Sequence, residues 1–399
     1  MSLSQGRPYL AIPGPSVIPD RVLNAMHRAA PNIYEGDLHD MTATILTDLR
    51  RVACTTGHVA IYIVNGHGAW EAANANLFSR GDKALVLATG TFGTSWANSA
   101  RRMGVDVEVL DFGRTRRAEA GKLAEALTAD KDRKIRAVLL THVDTASSVR
   151  NDIAEIRAAI DSTGHPALLA VDCIASLGCD PFRMDDWGVD VMVGASQKGL
   201  MVPPGLGFVW CSDRALEACR KSDLRTPYWD WEARVFAAEY WQYFCGTAPT
   251  HHLFGLREAL TMMLEDEGLT HAWARHGQLA RAVWAAAEAW GAAGDIAPNV
   301  PLTAERASSV TALRVGGGHA ARLRGWCEAE AGVTLGIPLG MAEPGEPAYA
   351  DYLRIGHMGH VNAHMVLGVL AVMEAGMRAL GIPHGAGALD AAAAVVAGA

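Results

Sequence analysis

The most constraining feature of the sequence is a series of seven short apolar runs between residues 59 and 211: VAIYIV, ALVLA, VEVL, AVLLT, ALLAV, VDVMV and GFVW. Most of them are separated by stretches with helical spacing, at 69–78, 118–127 and 153–161. This alternation predicts an α/β fold with a mostly parallel seven-stranded sheet between helices. Because strands buried on both faces are apolar along their whole length, we expect these seven to be apolar throughout rather than alternating.

The pattern changes after Cys211. A stretch rich in Trp and Tyr leads into a long helical segment from about 252 to 293, and the part from about 300 mixes a strand-like run, a helix and loops before a helix near 365–380. We therefore predict an N-terminal arm at 1–20, a large domain at 21–275 and a small C-terminal α+β domain at 276–399. The Ala/Gly-rich tail from 385 is expected to fray or to form a helix.

Composition argues against several classes of function. The formal net charge of −8 and the lack of a Lys/Arg-rich tract argue against nucleic-acid binding. The N-terminus lacks a signal-peptide pattern, and no uncharged apolar run reaches the roughly 20 residues of a membrane span, so we expect a cytoplasmic protein without membrane contact. The seven cysteines include no CxxC pair, which favours buried small side chains over disulfides or a metal site.

Lysine is scarce, and one lysine differs from the other five. Lys198 follows the apolar run VDVMVGA and precedes GLMVPPGLGFV, whereas the others stand in polar turns or charged helices: Lys83, Lys122, Lys131, Lys134 and Lys221. Burial lowers the pKa of an amine and frees its lone pair to attack an aldehyde. The alternative is a structural lysine whose amine reaches solvent from a strand end.

Asp172 lies at the end of an apolar run, 26 positions before Lys198. Ligands of open α/β sheets bind outside the carboxyl ends of the strands. A carboxylate there can keep the ring nitrogen of pyridoxal 5'-phosphate (PLP) protonated, while Lys198 forms a Schiff base with the cofactor's aldehyde. The pair therefore predicts a PLP enzyme. The alternative role for Asp172 is to cap the following turn.

Further residues match the remaining needs of this cofactor and of an amino acid substrate. Backbone amides after Asn65, at the Gly-rich start of a predicted helix, can face a phosphate, and Ser196 and Gln197 can complete its cradle. Phe92 can stack on the ring, although it can equally be a core residue. The planar guanidinium of Arg354 suits a substrate carboxylate, and a structural ion pair is the alternative.

Six motifs occur in order between about residues 8 and 380: PGP at 13–15, GHGAWEAA, VDCIASLG, GASQKGLMVPPG, LREAL and LRIGHMG. Together they resemble the class V aminotransferases of PLP fold type I, nearest to the serine-glyoxylate and alanine-glyoxylate aminotransferases. The resemblance implies a PLP-dependent transaminase that moves the amino group of serine or alanine to glyoxylate or pyruvate. It also implies a homodimer with shared active sites.

The resemblance assigns roles to individual residues. Lys198 matches the Schiff-base lysine, Asp172 the partner of the ring nitrogen, and Arg354 the arginine that binds the substrate carboxylate, with Gly14 also at the substrate. It also matches Phe92 to the stacking position, Ser147 to a position near the ring hydroxyl and Thr247 to a threonine that reaches the phosphate of the neighbouring subunit's cofactor. Gly66, His67 and Gln197 match phosphate-binding positions. We predict further cofactor contacts at Asn65, Gly68, Ile174 and Ser196.

Departures from the family pattern concern substrate choice. Asn65 stands where Ser or Thr is common, Phe244 where some relatives have Tyr, and the loop PNIYEGDL differs from the frequent HRSPEF-like pattern. The loop and IGHMG also resemble pyridoxamine-pyruvate aminotransferase, but this sequence lacks that relative's acidic residue near Asn65 and its arginine near Gly340.

Two alternatives remain for such a fold: another PLP reaction, such as desulfuration or lyase chemistry, and a non-catalytic binding role. Desulfuration needs a nucleophilic cysteine in a mobile loop, and the only candidate thiol, Cys327, lies in the helical stretch ARLRGWCEAEAG. A binding protein that had lost catalysis would have no need of Lys198 and Asp172, and both are present. The residues therefore favour a transaminase over either function.

Overall fold

The computed structural model describes residues 2–398, and within them twelve β-strands form three sheets. The strands are β1 (Tyr9–Ala11), β2 (His58–Tyr62), β3 (Lys83–Ala88), β4 (Asp106–Asp111), β5 (Ile135–Thr141), β6 (Leu168–Asp172), β7 (Val191–Ala195), β8 (Gly207–Cys211), β9 (Ile296–Pro298), β10 (Val310–Val315), β11 (Val333–Leu335) and β12 (Tyr352–Gly356).

The same residues form thirteen α-helices and four shorter helical segments. The α-helices are α1 (Asp20–Met26), α2 (Asp37–Ala53), α3 (Gly66–Leu77), α4 (Thr91–Arg102), α5 (Ala120–Ala129), α6 (Ile153–Ser162), α7 (Asp213–Cys219), α8 (Trp231–Val235), α9 (Thr250–Thr261), α10 (Leu269–Gly291), α11 (His319–Ala331), α12 (Ala363–Leu380) and α13 (Ala388–Ala397). The shorter segments are 3-10 turns at Tyr240–Phe244, Thr303–Glu305 and Pro347–Asp351 and a π-helical turn at Met262–Glu267.

The large sheet contains all seven predicted strands, in the order β2-β8-β7-β6-β5-β3-β4. The five strands from β7 to β4 are parallel to one another, and β8 runs antiparallel to both of its neighbours. No helix separates β7 from β8, so the chain turns back directly and the two strands pair antiparallel. The predicted α/β class with a mostly parallel seven-stranded sheet is confirmed.

One expectation about these strands was wrong. The side chains of β4 alternate between exposed and half-buried positions, and its sequence DVEVLD alternates in the same way. The reason is position: β4 lies at the edge of the sheet and pairs only with β3, so one of its faces reaches solvent. The central strands β5, β6 and β7 are buried almost throughout, as expected.

Helices cover both faces of the large sheet and give three layers. Side chains of α2, α5, α6 and α9 pack against one face, and side chains of α3, α4 and α7 pack against the other. Representative members of the two cores are Leu49, Leu123, Ile156 and Leu256 on the first face and Trp70, Trp96 and Leu216 on the second. This double cover leaves the carboxyl ends of the strands as the open edge where a site can form.

The small domain is built on the three-stranded antiparallel sheet β12-β10-β9, against which α10 and α11 pack, and α12 packs on these two helices. The predicted boundary between residues 275 and 276 falls inside α10, which extends from one domain into the other. Parallel pairing of β1 with β11 attaches the N-terminal arm to this domain. α12 is long and apolar enough to cross a membrane by length and composition, but its Leu370, Met373 and Met377 are fully buried in the small-domain core.

One predicted helical feature differs in detail, and for the tail the structure has the second of the two expected forms, a helix. The long helix expected at 252–293 is interrupted: α9 passes into the π-helical turn, and α10 begins only after Gly268, whose φ of 84° lies in the left-handed region that favours glycine. The Ala-rich tail is not frayed, because α13 packs against α10 and buries Ala388 and Ala392.

Candidate active site

A cavity of about 350 Å³ opens at the carboxyl ends of the large sheet's strands. It is bounded on one side by Pro13 and Pro15 of the N-terminal arm and on another by β12 of the small domain. Many of the predicted site residues line it: Gly14, Asn65, Gly66, His67, Phe92, Asp172, Ile174, Gln197, Lys198 and Arg354.

Lys198 follows β7, and its amine lies inside the cavity. Its Nζ donates a hydrogen bond to the carbonyl of Pro13, and the neighbouring Gly14 has a φ of 110°, which favours glycine beside the amine. Burial, together with the positive charge of Arg354, lowers the pKa of Lys198 to about 8, and the negative charge of Asp172 opposes this shift. A substantial fraction of this amine is therefore neutral near physiological pH. Of the other lysines, four are exposed and Lys83 pairs with Glu108 at 2.7 Å.

Asp172 ends β6, and its carboxylate is 3% exposed. Its Oδ1 accepts the backbone N–H of Ile174 at 2.7 Å, and its Oδ2 accepts the indole N–H of Trp70 at 2.9 Å. The hydrogen bond from Ile174 caps the turn after β6, and the carboxylate still faces the cavity. Burial raises the pKa of Asp172 to about 7, since the two donors only partly offset the loss of water.

Arg354 lies in β12 and is 5% exposed. Its Nε donates to the carbonyl of Ile337 at 2.7 Å and its Nη1 to the carbonyl of Thr145 at 3.0 Å. Within residues 2–398 no carboxylate pairs with it, and the neighbouring Asp351 instead accepts the backbone N–H of Gly318 at 2.6 Å. Burial lowers the pKa of Arg354 to about 10, so the group stays cationic near neutral pH. Two carbonyls therefore orient a cation whose Nη2 and the second N–H of Nη1 remain available to an anionic ligand.

The turn after β2 forms the opposite end of the cavity. α3 begins at Gly66, earlier than the predicted start near Ala69, and Asn65 is its N-cap. The side-chain oxygen of Asn65 accepts the amides of His67 at 3.1 Å and Gly68 at 3.4 Å, so a phosphate there has to share or replace these bonds. A Cβ on Gly66 would overlap Cδ1 of Ile174, which explains the glycine at this position.

Four predicted residues do not line the cavity. The hydroxyl of Ser196 donates to the carbonyl of Pro203 at 2.7 Å, and the hydroxyl of Ser147 donates to the carbonyl of Thr89 at 2.8 Å, so both serve loop structure instead of facing a cofactor. Gly68 contributes only its backbone to the helix turn. Thr247 is exposed and lies outside the cavity of its own chain.

Sequence reasoning missed three residues at this site. Thr145, two positions before Ser147, lines the cavity, and Trp70 does so one helical turn after Gly66. Asp144 is fully buried and accepts the amides of Phe92 at 2.8 Å and Ala146 at 2.9 Å, which ties the start of α4 to the loop after β5. The mostly polar segment 144–148 was the available signal, but it did not show which of its side chains faces inward.

Comparison with known proteins identifies the family. Residues 9–337 match the aminotransferase class-V family. The chain belongs to the class V aminotransferases. It is 36% identical to a serine–glyoxylate aminotransferase of Methylorubrum extorquens, with 92% of this chain and 90% of the relative aligned. It is also 36% identical to an L-aspartate–glyoxylate aminotransferase of Paracoccus denitrificans, with 93% and 91% aligned.

A solved structure has the same fold as this class V aminotransferase. The pyridoxamine-pyruvate aminotransferase of Mesorhizobium loti superposes with a TM-score of 0.88 over 100% of both chains, at 24% sequence identity, which supports the fold and not the substrate. The chain is therefore a PLP-dependent aminotransferase of fold type I.

The cavity of this aminotransferase fits the cofactor. It combines a buried carboxylate at Asp172, an amine at Lys198 and the start of α3. The side-chain Oε1 of Gln197 is buried and, among the described residues, has no hydrogen-bond partner. Because an amide oxygen only accepts hydrogen bonds, it costs free energy when buried unless a donor on a bound group reaches it.

Proposed function

We propose that this aminotransferase moves the amino group of a small amino acid, serine or alanine, to glyoxylate or pyruvate, with Lys198 joined to PLP as a Schiff base. The observation that carries the proposal is the placement of Lys198, Asp172 and Arg354 around one cavity. The names of two relatives at 36% identity, serine–glyoxylate and L-aspartate–glyoxylate aminotransferase, support glyoxylate as the acceptor.

The chain's own residues divide the work of holding the cofactor. PLP supplies an aldehyde that takes up the amino group and a ring that stores the electron pair released at the substrate α-carbon. Asp172, kept ionised, would bind the protonated ring nitrogen, and Phe92 and Ile174 would enclose the ring. The side-chain N–H groups of Gln197 and the first amides of α3 would donate to the phosphate, where the helix dipole favours negative charge.

Lys198 moves the proton. With PLP and substrate bound, the free amine of Lys198 would accept the proton of the substrate α-carbon, hold it and return it. A pKa near 8 suits both tasks, because neither protonation state is strongly favoured near neutral pH. The covering residues of the N-terminal arm, Pro13 and Pro15, limit the access of water to this amine.

Arg354 fixes the substrate by its carboxylate and favours small side chains. Its guanidinium is held at two edges by the carbonyls of Ile337 and Thr145, so its remaining N–H groups point in a set direction. Of the described residues that line the cavity, only His67, Lys198 and Arg354 have basic side chains. A second substrate carboxylate therefore has no second guanidinium, which favours serine and alanine over aspartate and glutamate.

The active unit is proposed to be a homodimer with shared sites. Thr247 is exposed, and Phe236 and Trp241 of the same region are 55% and 56% exposed, which leaves an apolar surface for a partner to cover. In the dimer, Thr247 would reach the phosphate of the partner's cofactor. A cytoplasmic location stays a prediction from the sequence.

Half-reactions test the proposed substrates. The PLP-loaded protein is mixed with one amino acid at a time, and loss of its near-visible absorption is followed. We expect serine and alanine to remove the absorption and glyoxylate or pyruvate to restore it, with little effect of free pyridoxamine. Rapid reaction with pyridoxamine and pyruvate, or with aspartate, combined with no reaction of serine and alanine, would reassign the substrate while leaving the aminotransferase class intact.

A further inference from the structure

Trp70 makes a direct contact with Asp172 that the roles proposed for Lys198 and Arg354 leave unused. The indole N–H donates to Oδ2 of Asp172 at 2.9 Å, and the two side chains are 1% and 3% exposed. Trp70 lies on α3, stacked on Trp96 with ring centroids 6.1 Å apart and with its edge towards Phe92 at 6.3 Å. Packing on both sides fixes the direction of the indole N–H.

The surroundings of Asp172 explain why this donor matters. Burial and the negative charge of Asp144 both favour the neutral acid, and they raise the pKa of Asp172 to about 7. Three groups lower the pKa of Asp172: the backbone N–H of Ile174, the indole N–H of Trp70 and the positive charge of Lys198. Of these, Trp70 is the only side chain within hydrogen-bond distance of the carboxylate in the described part of the chain. A hydrogen bond from an N–H group stabilises an ionised carboxylate oxygen, and this stabilisation is lost when the same oxygen is protonated.

We propose that Trp70 is a positioning residue that keeps Asp172 ionised and aims the carboxylate at the ring nitrogen of PLP. The proposal rests on the proposed role of Asp172 as the partner of that nitrogen. Trp70 acts through Asp172 and not through contact with the reacting atoms, so its loss changes how tightly the ring is held and how that affinity depends on pH.

A purely structural role for Trp70 is the competing explanation, and the chain offers a matched control. Trp96 is also fully buried and belongs to the same stack, but its indole N–H donates to Oδ1 of Asn74 at 3.0 Å, and it does not line the cavity. Trp70→Phe and Trp96→Phe each replace one indole of this stack with the smaller phenyl ring. Only Trp70→Phe removes a donor from Asp172.

The test is the dissociation constant of PLP for the full-length protein, measured between pH 6 and pH 9. Without the indole donor, Asp172 binds its proton more tightly, so a larger fraction is neutral at pH 6, while it is ionised in either protein at pH 9. We expect Trp70→Phe to weaken PLP about tenfold at pH 6, the effect of a one-unit pKa change from losing one hydrogen bond to a charged group. We expect less than about a twofold change at pH 9 by the same relation, and little change in Trp96→Phe at either pH.

Two further measurements distinguish a role in holding Asp172 from a packing role. A cofactor analogue with carbon in place of the ring nitrogen should bind wild type and Trp70→Phe equally. Equal weakening of PLP and the analogue, or equal weakening at pH 6 and pH 9, would overturn the proposal in favour of packing. If Asp172→Ala leaves PLP binding unchanged, the proposed role of Asp172 itself fails. If Trp70→Phe does not fold, benzothienylalanine at position 70, which keeps the ring shape and replaces N–H by sulfur, gives the same comparison.

Discussion

Replacement of Arg354 by lysine tests the geometry of substrate binding. The change keeps a positive charge but removes the planar fork and its two hydrogen bonds, to Ile337 at 2.7 Å and Thr145 at 3.0 Å. A lysine amine is a point charge that cannot satisfy both carbonyls and still present two parallel N–H groups to a carboxylate. The substrate carboxylate in this buried place would then be incompletely satisfied.

The size of the effect follows from the number of bonds lost. One of two charge-assisted hydrogen bonds to the carboxylate disappears, and the remaining one is poorly aligned. With roughly 1.5–3 kcal/mol for a hydrogen bond to a charged group, we expect a loss of about 3 kcal/mol. That corresponds to a decrease of roughly 100-fold in kcat/KM for serine or alanine.

The assay is steady-state transamination of serine with glyoxylate, together with absorbance of the bound cofactor. Arg314→Lys is the matched control, because Arg314 lies on the neighbouring strand β10 but forms an exposed ion pair with Asp295. We expect the control to retain its kcat/KM and both variants to retain PLP. If Arg354→Lys kept kcat/KM within about threefold of wild type, less than about 0.7 kcal/mol, the proposed carboxylate contact would be refuted.

Three further predictions concern protonation and assembly. Burial lowers the pKa of His276 to about 3, and its Nε2 accepts the backbone N–H of Gly359 at 2.9 Å, which requires the neutral ring, while Nδ1 donates to the carbonyl of Ala272. The unfolded chain therefore takes up a proton here as pH falls below about 6.5, and stability is lost from there to about pH 3. In urea unfolding at pH 6.5 and pH 5, His276→Gln should lose about 2 kcal/mol less than wild type, whereas the exposed His271→Gln should behave like wild type. The rate at which PLP-free protein captures PLP should rise with pH through about 8, the pKa of Lys198, and an inflection near the ordinary lysine value would contradict its burial. Thr247→Val should weaken PLP retention in a protein that sediments as a dimer, and a monomer with full activity would argue against shared sites.

Much of the large domain could be predicted because its signals are local. Each run that became a strand is short, apolar and bounded by polar residues, and parallel pairing follows from the helices between them. The exceptions depend on position in the sheet. Whether β4 is an edge strand depends on strand order, which the pattern of residues 106–111 does not specify.

The site was predictable where one residue type is rare. Lys198 stands out because few lysines exist and only one follows an apolar strand. The direction of side chains within loops was harder to predict, because 144–148 contains several small polar residues. The turn geometry alone decides that Thr145 faces the cavity while the hydroxyl of Ser147 bonds to Thr89. The contact between Trp70 and Asp172 joins residues 102 positions apart and needed the structure.

The most direct test of the account is the site of cofactor attachment. The PLP-loaded protein is reduced with borohydride and digested, and the peptide that carries the cofactor is identified by mass spectrometry. We predict that the label lies on Lys198 and that Lys198→Ala lacks both the label and the near-visible absorption. A label on another lysine, or unchanged absorption in Lys198→Ala, would contradict the assignment on which the proposed mechanism rests.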